Sequence, residues 1–140
     1  MLKLLLRVLP NQVAYAHCDI PCGIYDPKPA QIAAATVAKM VEKIQDLPDD
    51  NAVNTRNNFV RMVAVKEEHA DICEKEVFTL WSDYFKPEHF KKWPDLSDKV
   101  LNISKLCGKN RVAVNPEAAK ELVSAVDELA AIFEESKKSA

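Results

Sequence analysis

Apolar residues recur at spacings of three and four along most of the chain, which is the period of an amphipathic helix. The first such pattern covers residues 29–47 and stops at Pro48 and a polar run. A second, longer pattern leads to Trp81. The predicted apolar faces consist of Ile32, Val37, Met40, Val41 and Ile44 in the first helix, and of Phe59, Val63, Ala70, Cys73, Val77, Leu80 and Trp81 in the second.

Two further helices are predicted after an aromatic loop at residues 84–93. The third ends at Gly108, where a left-handed C-terminal cap is expected. The fourth begins at Asn115 and Pro116, a capping side chain followed by proline at the first helical position. Their apolar faces consist of Leu96, Val100, Ile103 and Cys107, and of Leu122, Val126, Leu129 and Phe133.

The predicted fold class is all-α. The chain has only two glycines, and it has almost no alternating β-branched runs bounded by turn signals, so strands have little support. Its 140 residues, 48% of them hydrophobic, suffice for one domain with one core. Four amphipathic helices with mostly short connections pack most simply as an antiparallel four-helix bundle.

Charge and hydropathy exclude two classes of partner. With 19 basic and 21 acidic residues the formal charge is -2, so the chain has no extended positive surface for a nucleic acid. Its longest apolar stretch, residues 2–9, is interrupted by Lys3 and Arg7 and is much shorter than the ~20 residues that cross a bilayer. We expect neither a nucleic-acid nor a membrane partner.

Residues 1–16 are interpreted as a removable leader. They combine early basic residues, a leucine-rich run and Ala-Tyr-Ala at positions 14–16, the small-x-small form of a cleavage site. Arg7 and Pro10 interrupt the apolar part, which makes it a poor export signal. We therefore expect a leader-processing peptidase as a partner, a cytoplasmic location, and a mature domain of residues 17–140.

The four cysteines could form two disulfides by number, and the sequence alone leaves this open. Cys73 and Cys107, however, lie in helical apolar patterns, where a free cysteine behaves as a small hydrophobic residue. A helical domain of this size needs no disulfides. We expect both to be core residues.

Candidate chemistry is concentrated where the mature chain would begin. His17, Cys18 and Cys22 lie within six residues of one another. The plain alternative is a zinc or disulfide pair beside an unrelated histidine. A closed zinc site needs four side-chain ligands, however, and the remaining histidines, His69 and His89, are isolated on other elements.

A planar chelate fits this segment better. Cleavage before His17 frees an α-amine with an unperturbed pKa of ~7.7 to 8.0. That amine, the Cys18 amide nitrogen and the Cys18 sulfur can form two fused chelate rings on a metal. Cys22 can supply the fourth donor, because Pro21 fixes φ and Gly23 tolerates unusual conformations. Square-planar nitrogen and sulfur coordination suits Ni(II) or Cu(II).

The hook, residues 17–25, is followed by Asp26 and Pro27, and together they resemble the nickel-hook motif of nickel superoxide dismutases, here HCDIPCGIYDP. The block LWSDYFKP at residues 80–87 is similar to the segment between the family's second and third helices. This resemblance implies a four-helix bundle with a right-handed twist, assembled as a homohexamer with one nickel ion per subunit. It also implies conversion of superoxide to oxygen and hydrogen peroxide by Ni(II)/Ni(III) cycling.

The resemblance also assigns roles to single residues. It implies that His17 supplies its amine and, in the oxidised state, an axial imidazole. Cys18 supplies its amide nitrogen and thiolate, and Cys22 its thiolate. Tyr25 matches the tyrosine that limits access to the metal, and Tyr84 matches a second tyrosine near it.

Other assignments concern the surroundings of the metal. Asp19 and Pro21 match positions that shape the hook, and proline permits a cis bond at modest cost. Lys86 is expected to attract anionic superoxide, because a cation near the mouth of a site raises the encounter rate; the alternative is a solvated lysine. Ala33 and His69 depart from the family, which has an acidic residue and an arginine there to orient the axial imidazole. The group that contacts the second nitrogen of an axial histidine tunes the metal, so this departure bears on the redox potential of the site.

Two other functions remain open from the residues alone. One is a non-catalytic nickel or copper carrier that uses the same hook without turnover. The other is a small disulfide-linked helical interaction module. Superoxide consumption by the processed protein separates the enzyme from both, and thiol titration separates the carrier from the module.

Overall fold

The computed structural model describes residues 22–138, and this part of the chain is helical without strands. The long helices are Lys28–Gln45 (α1), Val53–Thr79 (α2), Leu96–Val112 (α4) and Pro116–Lys137 (α5), with the short helix Pro87–Lys92 (α3) between α2 and α4. A π-helical turn, Leu80–Tyr84, continues α2. The all-α prediction is confirmed, although α3 lies inside the segment predicted as an aromatic loop.

The four long helices form a closed ring of neighbours. α1 packs against α2, α2 against α4, α4 against α5, and α5 against α1. The direction of α4 is opposite to that of α2, because Trp81 Nε1 donates to Ser97 Oγ at 3.1 Å near one end while Lys66 Nζ donates to the Arg111 carbonyl at 3.0 Å near the other. The predicted antiparallel four-helix bundle is confirmed.

Most predicted apolar positions lie in the core, but Met40 and Val63 are only half-buried and three others are exposed. Ile32 is 56% exposed, Phe59 45% and Trp81 37%. On α1 the buried face instead begins with three alanines, Ala30, Ala33 and Ala34. On α2 the buried residues begin only at Lys66, so the first turns of that helix have no buried side chain.

The predicted end of α4 at Gly108 is wrong, because the helix continues to Val112. The Lys66 ammonium, buried on α2, donates to the carbonyls of Asn110 and Arg111. It thereby satisfies carbonyls that a helix C-terminus leaves without partners, and its charge complements the helix dipole. Burial lowers the pKa of Lys66, and the nearby Glu67 carboxylate offsets this only in part.

Two local predictions are confirmed. Asn115 caps α5, since its Oδ1 accepts a hydrogen bond from the Ala118 amide at 3.0 Å. Cys73 and Cys107 are free and fully buried. Within the described residues, the helices lack the apolar length required to span a membrane.

Candidate metal centre

The described part of the hook turns tightly just before α1. Cys22 has an exposed thiol, whose sulfur accepts a hydrogen bond from the Ile24 amide at 3.4 Å. Gly23 has a φ of 69°, a left-handed conformation that costs glycine little and other residues more. The predicted use of Gly23 in this turn is confirmed.

The residues after the hook attach it to the bundle. Asp26 Oδ1 accepts a hydrogen bond from the Lys28 amide at 2.8 Å, and the Pro27 carbonyl accepts one from Gln31 at 3.1 Å. Pro27 is buried. Asp26 and Pro27, directly after the hook, are therefore tied to the first turn of α1.

Two tyrosines lie together at this end of the bundle. The ring centroids of Tyr25 and Tyr84 are 5.7 Å apart, with the planes tilted by 55°. Tyr84 also lies 4.4 Å from the Phe133 ring and stacks almost parallel on His89 at 5.7 Å. The resemblance named both tyrosines separately, and the fold brings their rings into contact.

The π-helical turn is what places Tyr84. The Phe85 amide donates to the Leu80 carbonyl at 3.0 Å, one residue further than in an α-helix. A wider turn changes the direction in which the side chains after it project. Such turns are frequent at functional sites.

Sequence reasoning missed Ser136, which fixes the hydroxyl of Tyr84. The Ser136 hydroxyl donates to the Phe133 carbonyl at 2.6 Å, which uses its only hydrogen. Tyr84 Oη lies 2.7 Å from Ser136 Oγ, so Tyr84 must be the donor in that contact. The one available signal was a serine three residues after Phe133 on the buried face of α5.

Replacing Tyr84 by phenylalanine should lower the free energy of unfolding by about 1 kcal/mol, because a hydrogen bond between two uncharged groups is lost while the ring packing stays. Ser136→Ala should cost a similar amount. The double variant should cost less than the two single changes together, since both remove the same contact. Urea denaturation followed by helical circular dichroism measures all three. Fully additive losses would contradict the hydrogen bond.

Lys86 and His89 lie beside this pair of tyrosines. Lys86 is exposed, directly before α3, and its amide donates to His89 Nδ1 at 3.0 Å. A neutral His89 ring therefore has its hydrogen on Nε2. Substrate attraction by Lys86 stays a prediction, and the carboxylate of Asp26, the residue directly after Tyr25, acts in the opposite direction.

Several predicted site residues lie outside the described part of the chain: His17, Cys18, Asp19 and Pro21, together with the Ile20–Pro21 bond. Among the described residues, no three potential metal ligands come together. Cys22, the predicted ligand that lies within the described residues, fits a thiophilic metal, because its thiol is exposed and needs no rearrangement of the core to bind.

The two positions that are predicted to depart from the family lie on α1 and α2. Ala33 is buried, with 1% of its surface exposed. His69 is half-buried, and its Nδ1 lies 2.8 Å from the Val65 carbonyl, which can only accept. The Nδ1 hydrogen is thus used within α2, and Nε2 remains for another contact.

Residues 12–137 match the model of one protein family, which is described as nickel-containing superoxide dismutase. The chain belongs to this family. The nickel superoxide dismutase of Streptomyces coelicolor is 35% identical over 130 residues, which cover 93% of this chain and 95% of the relative. That of Streptomyces seoulensis is 34% identical over 131 residues, with the same coverage.

Solved structures of nickel superoxide dismutase agree with this assignment. The native structure superimposes with a TM-score of 0.78 at 35% identity, covering 87% of this chain and 99% of the solved chain. An apo structure gives a TM-score of 0.75 at 33% identity, covering 83% and 99%. The family resemblance deduced from the hook and from residues 80–87 is confirmed.

Proposed function

We propose that this chain is a superoxide dismutase that converts superoxide to oxygen and hydrogen peroxide with one nickel ion per subunit. The observation that carries this proposal is the family match over residues 12–137, which includes the whole hook. Consumption of superoxide by nickel-loaded protein beginning at His17 tests it. A protein that binds nickel without consuming superoxide would instead be a carrier.

The hook supplies the donors. We assign the amine and imidazole of His17, the amide nitrogen and thiolate of Cys18, and the thiolate of Cys22. Nickel held by these donors would supply the one-electron redox chemistry that dismutation requires. The anionic sulfur and amide donors of Cys18 and Cys22 would raise electron density at the metal and so make its higher oxidation state accessible. The exposed thiol of Cys22 and the left-handed turn at Gly23 support this assignment.

Tyr25 and Tyr84 are assigned different tasks within one aromatic contact. The hydroxyl hydrogen of Tyr84 is directed to Ser136, so Tyr84 is held in one position and does not serve as a proton source. The ring of Tyr25 packs against the ring of Tyr84, and Tyr25 belongs to the hook itself. We therefore assign to Tyr25 both the restriction of access and the delivery of protons to the peroxide.

Asp19 and Pro21 shape the hook in this proposal, and Lys86 draws superoxide toward it. Lys86 is suited to that role by its exposure and by its position two residues after Tyr84. Its effect should be on the encounter rate and should weaken as salt is added.

Removal of residues 1–16 by a peptidase in the cytoplasm is the maturation step we propose, leaving residues 17–140 as the enzyme. The coverage of the solved relative supports this. Its chain is matched over 99% of its length although only 87% of this chain takes part. The solved relative therefore lacks a counterpart for some of this sequence.

The nickel-loaded enzyme is expected to be a homohexamer. Supporting this, Val53, Phe59 and Val60 at the start of α2 are 71%, 45% and 64% exposed, and exposed apolar patches of this kind mark association surfaces. Sedimentation equilibrium should give six times the subunit mass. An active, nickel-loaded form that sediments only as a monomer would refute the assembly.

A further inference from the structure

Two free thiols face each other inside the bundle, away from the hook. Cys73 on α2 and Cys107 on α4 both have no exposed surface. Both belong to the same hydrophobic core.

The register of the two helices independently places these cysteines opposite one another. Three hydrogen bonds join α2 and the π-helical turn that continues it to α4: Trp81 with Ser97, Glu74 with Ser104, and Lys66 with the Asn110 carbonyl. Residue numbers that rise along α2 are thus paired with residue numbers that fall along α4. Cys73 directly precedes Glu74, and Cys107 lies one turn after Ser104, so the register places the two thiols opposite each other.

In the closed core these thiols are poor nucleophiles. Interaction with the Cys107 thiol and burial both raise the pKa of Cys73 far above its usual range. Because the thiolate is the form that reacts with peroxide, a buried neutral thiol is protected. Reaction therefore requires that α2 and α4 separate locally and admit water.

We propose that Cys73 and Cys107 are a latent disulfide, closed by hydrogen peroxide when the contact between α2 and α4 opens. The oxidant is the product of the proposed superoxide dismutation, so its source rests on that function. The pairing of the two thiols is independent of that function.

The chemistry balances in two steps. In the opened state one thiol loses its proton to water, and its sulfur attacks one oxygen of hydrogen peroxide. The O–O bond breaks, a sulfenic acid forms, and the departing hydroxide takes up a proton to become water. The second thiol then attacks the sulfenic sulfur, the S–O bond breaks, and a second water leaves. Two thiols and one peroxide thus give one disulfide and two waters.

The bond would join α2 to α4 at the middle of their contact. It would close the chain between residues 73 and 107 into a loop and so restrict the unfolded state. A subunit exposed to its own product would then open less readily. Oxidised protein should accordingly have a higher Tm than reduced protein.

The experiment treats nickel-loaded protein with hydrogen peroxide in graded urea below the unfolding transition, then blocks free thiols in acid and digests with trypsin. Cleavage after lysines gives residues 67–75 and 106–109 as separate peptides. We expect them joined and lighter by the two thiol hydrogens. The rate of joining should rise about tenfold per molar urea if opening exposes surface as unfolding does.

Cys107→Ala serves as the matched control, with Cys73→Ala as the second variant, and circular dichroism confirms that each remains helical. Neither variant should yield the joined peptide or gain Tm on oxidation. Free thiols after treatment at the highest urea, or sulfinic acid without joined peptides, would overturn the latent disulfide. A rate of joining that is independent of urea would overturn the opening step.

A second arm separates this inference from the proposed enzyme activity. Superoxide replaces added peroxide, with and without catalase. Joined peptides that form faster than in nickel-free protein and disappear with catalase support the enzyme's product as oxidant. If added peroxide joins the peptides but superoxide does not, the thiol pair stands and the product as its oxidant is refuted.

Discussion

Serine in place of Cys22 is expected to remove nickel and to lower superoxide dismutation by about a thousandfold or more. A serine hydroxyl stays protonated at neutral pH and is a weak, hard donor, whereas nickel in a planar nitrogen and sulfur site needs the soft thiolate. Metal catalysis contributes several kcal/mol to a transition state, and each ~1.4 kcal/mol is a factor of ten in rate. Metal analysis and a superoxide assay measure the two losses.

The helices should survive this change. Cys22 is exposed and precedes α1, so circular dichroism and Tm should stay close to those of the parent protein. Cys18→Ser is expected to behave like Cys22→Ser. Cys107→Ala removes a thiol from the core and should keep its nickel, which controls for thiol number. One nickel ion per chain retained in both hook variants would refute the ligand assignment.

An uncut chain is expected to have no dismutase activity above that of metal-free protein. Before cleavage of the Ala16–His17 bond the nitrogen of His17 is an amide, which holds its proton tightly and donates weakly. After cleavage it is an amine with an unperturbed pKa of ~7.7 to 8.0, which can bind metal near neutral pH. Peptide-bond cleavage therefore creates one of the four planar donors.

One extra glycine before His17 in the processed protein should have the same effect, because it again converts the amine into an amide. Its matched control has one glycine added after Ala140, at the other end of the chain. Both proteins should keep their helical content, and only the control should dismutate superoxide. Full activity in uncut protein, with its mass confirmed, would refute both the amine ligand and activation by cleavage.

The amount of the fold that the sequence predicted depended on the range of the interactions involved. Helical periodicity and the Asn115 cap are local, since the cap joins residues three apart. Both could therefore be predicted from the sequence. On α1, periodicity correctly placed Val37, Val41 and Ile44 on the inward side. It was wrong for Ile32, because the nearby alanines are apolar as well, and close packing against α2 and α5 buried them instead.

The sequence by itself determined the hook, because His17, Cys18 and Cys22 are near neighbours in the chain and their donors can converge without any fold around them. Only the tertiary structure decided what surrounds that segment and the core. Lys66 lengthens α4 from 44 residues away, and Ser136 directs the hydroxyl of Tyr84 from 52 residues away. Such contacts form only when helices pack, since no short-range preference brings such distant side chains together.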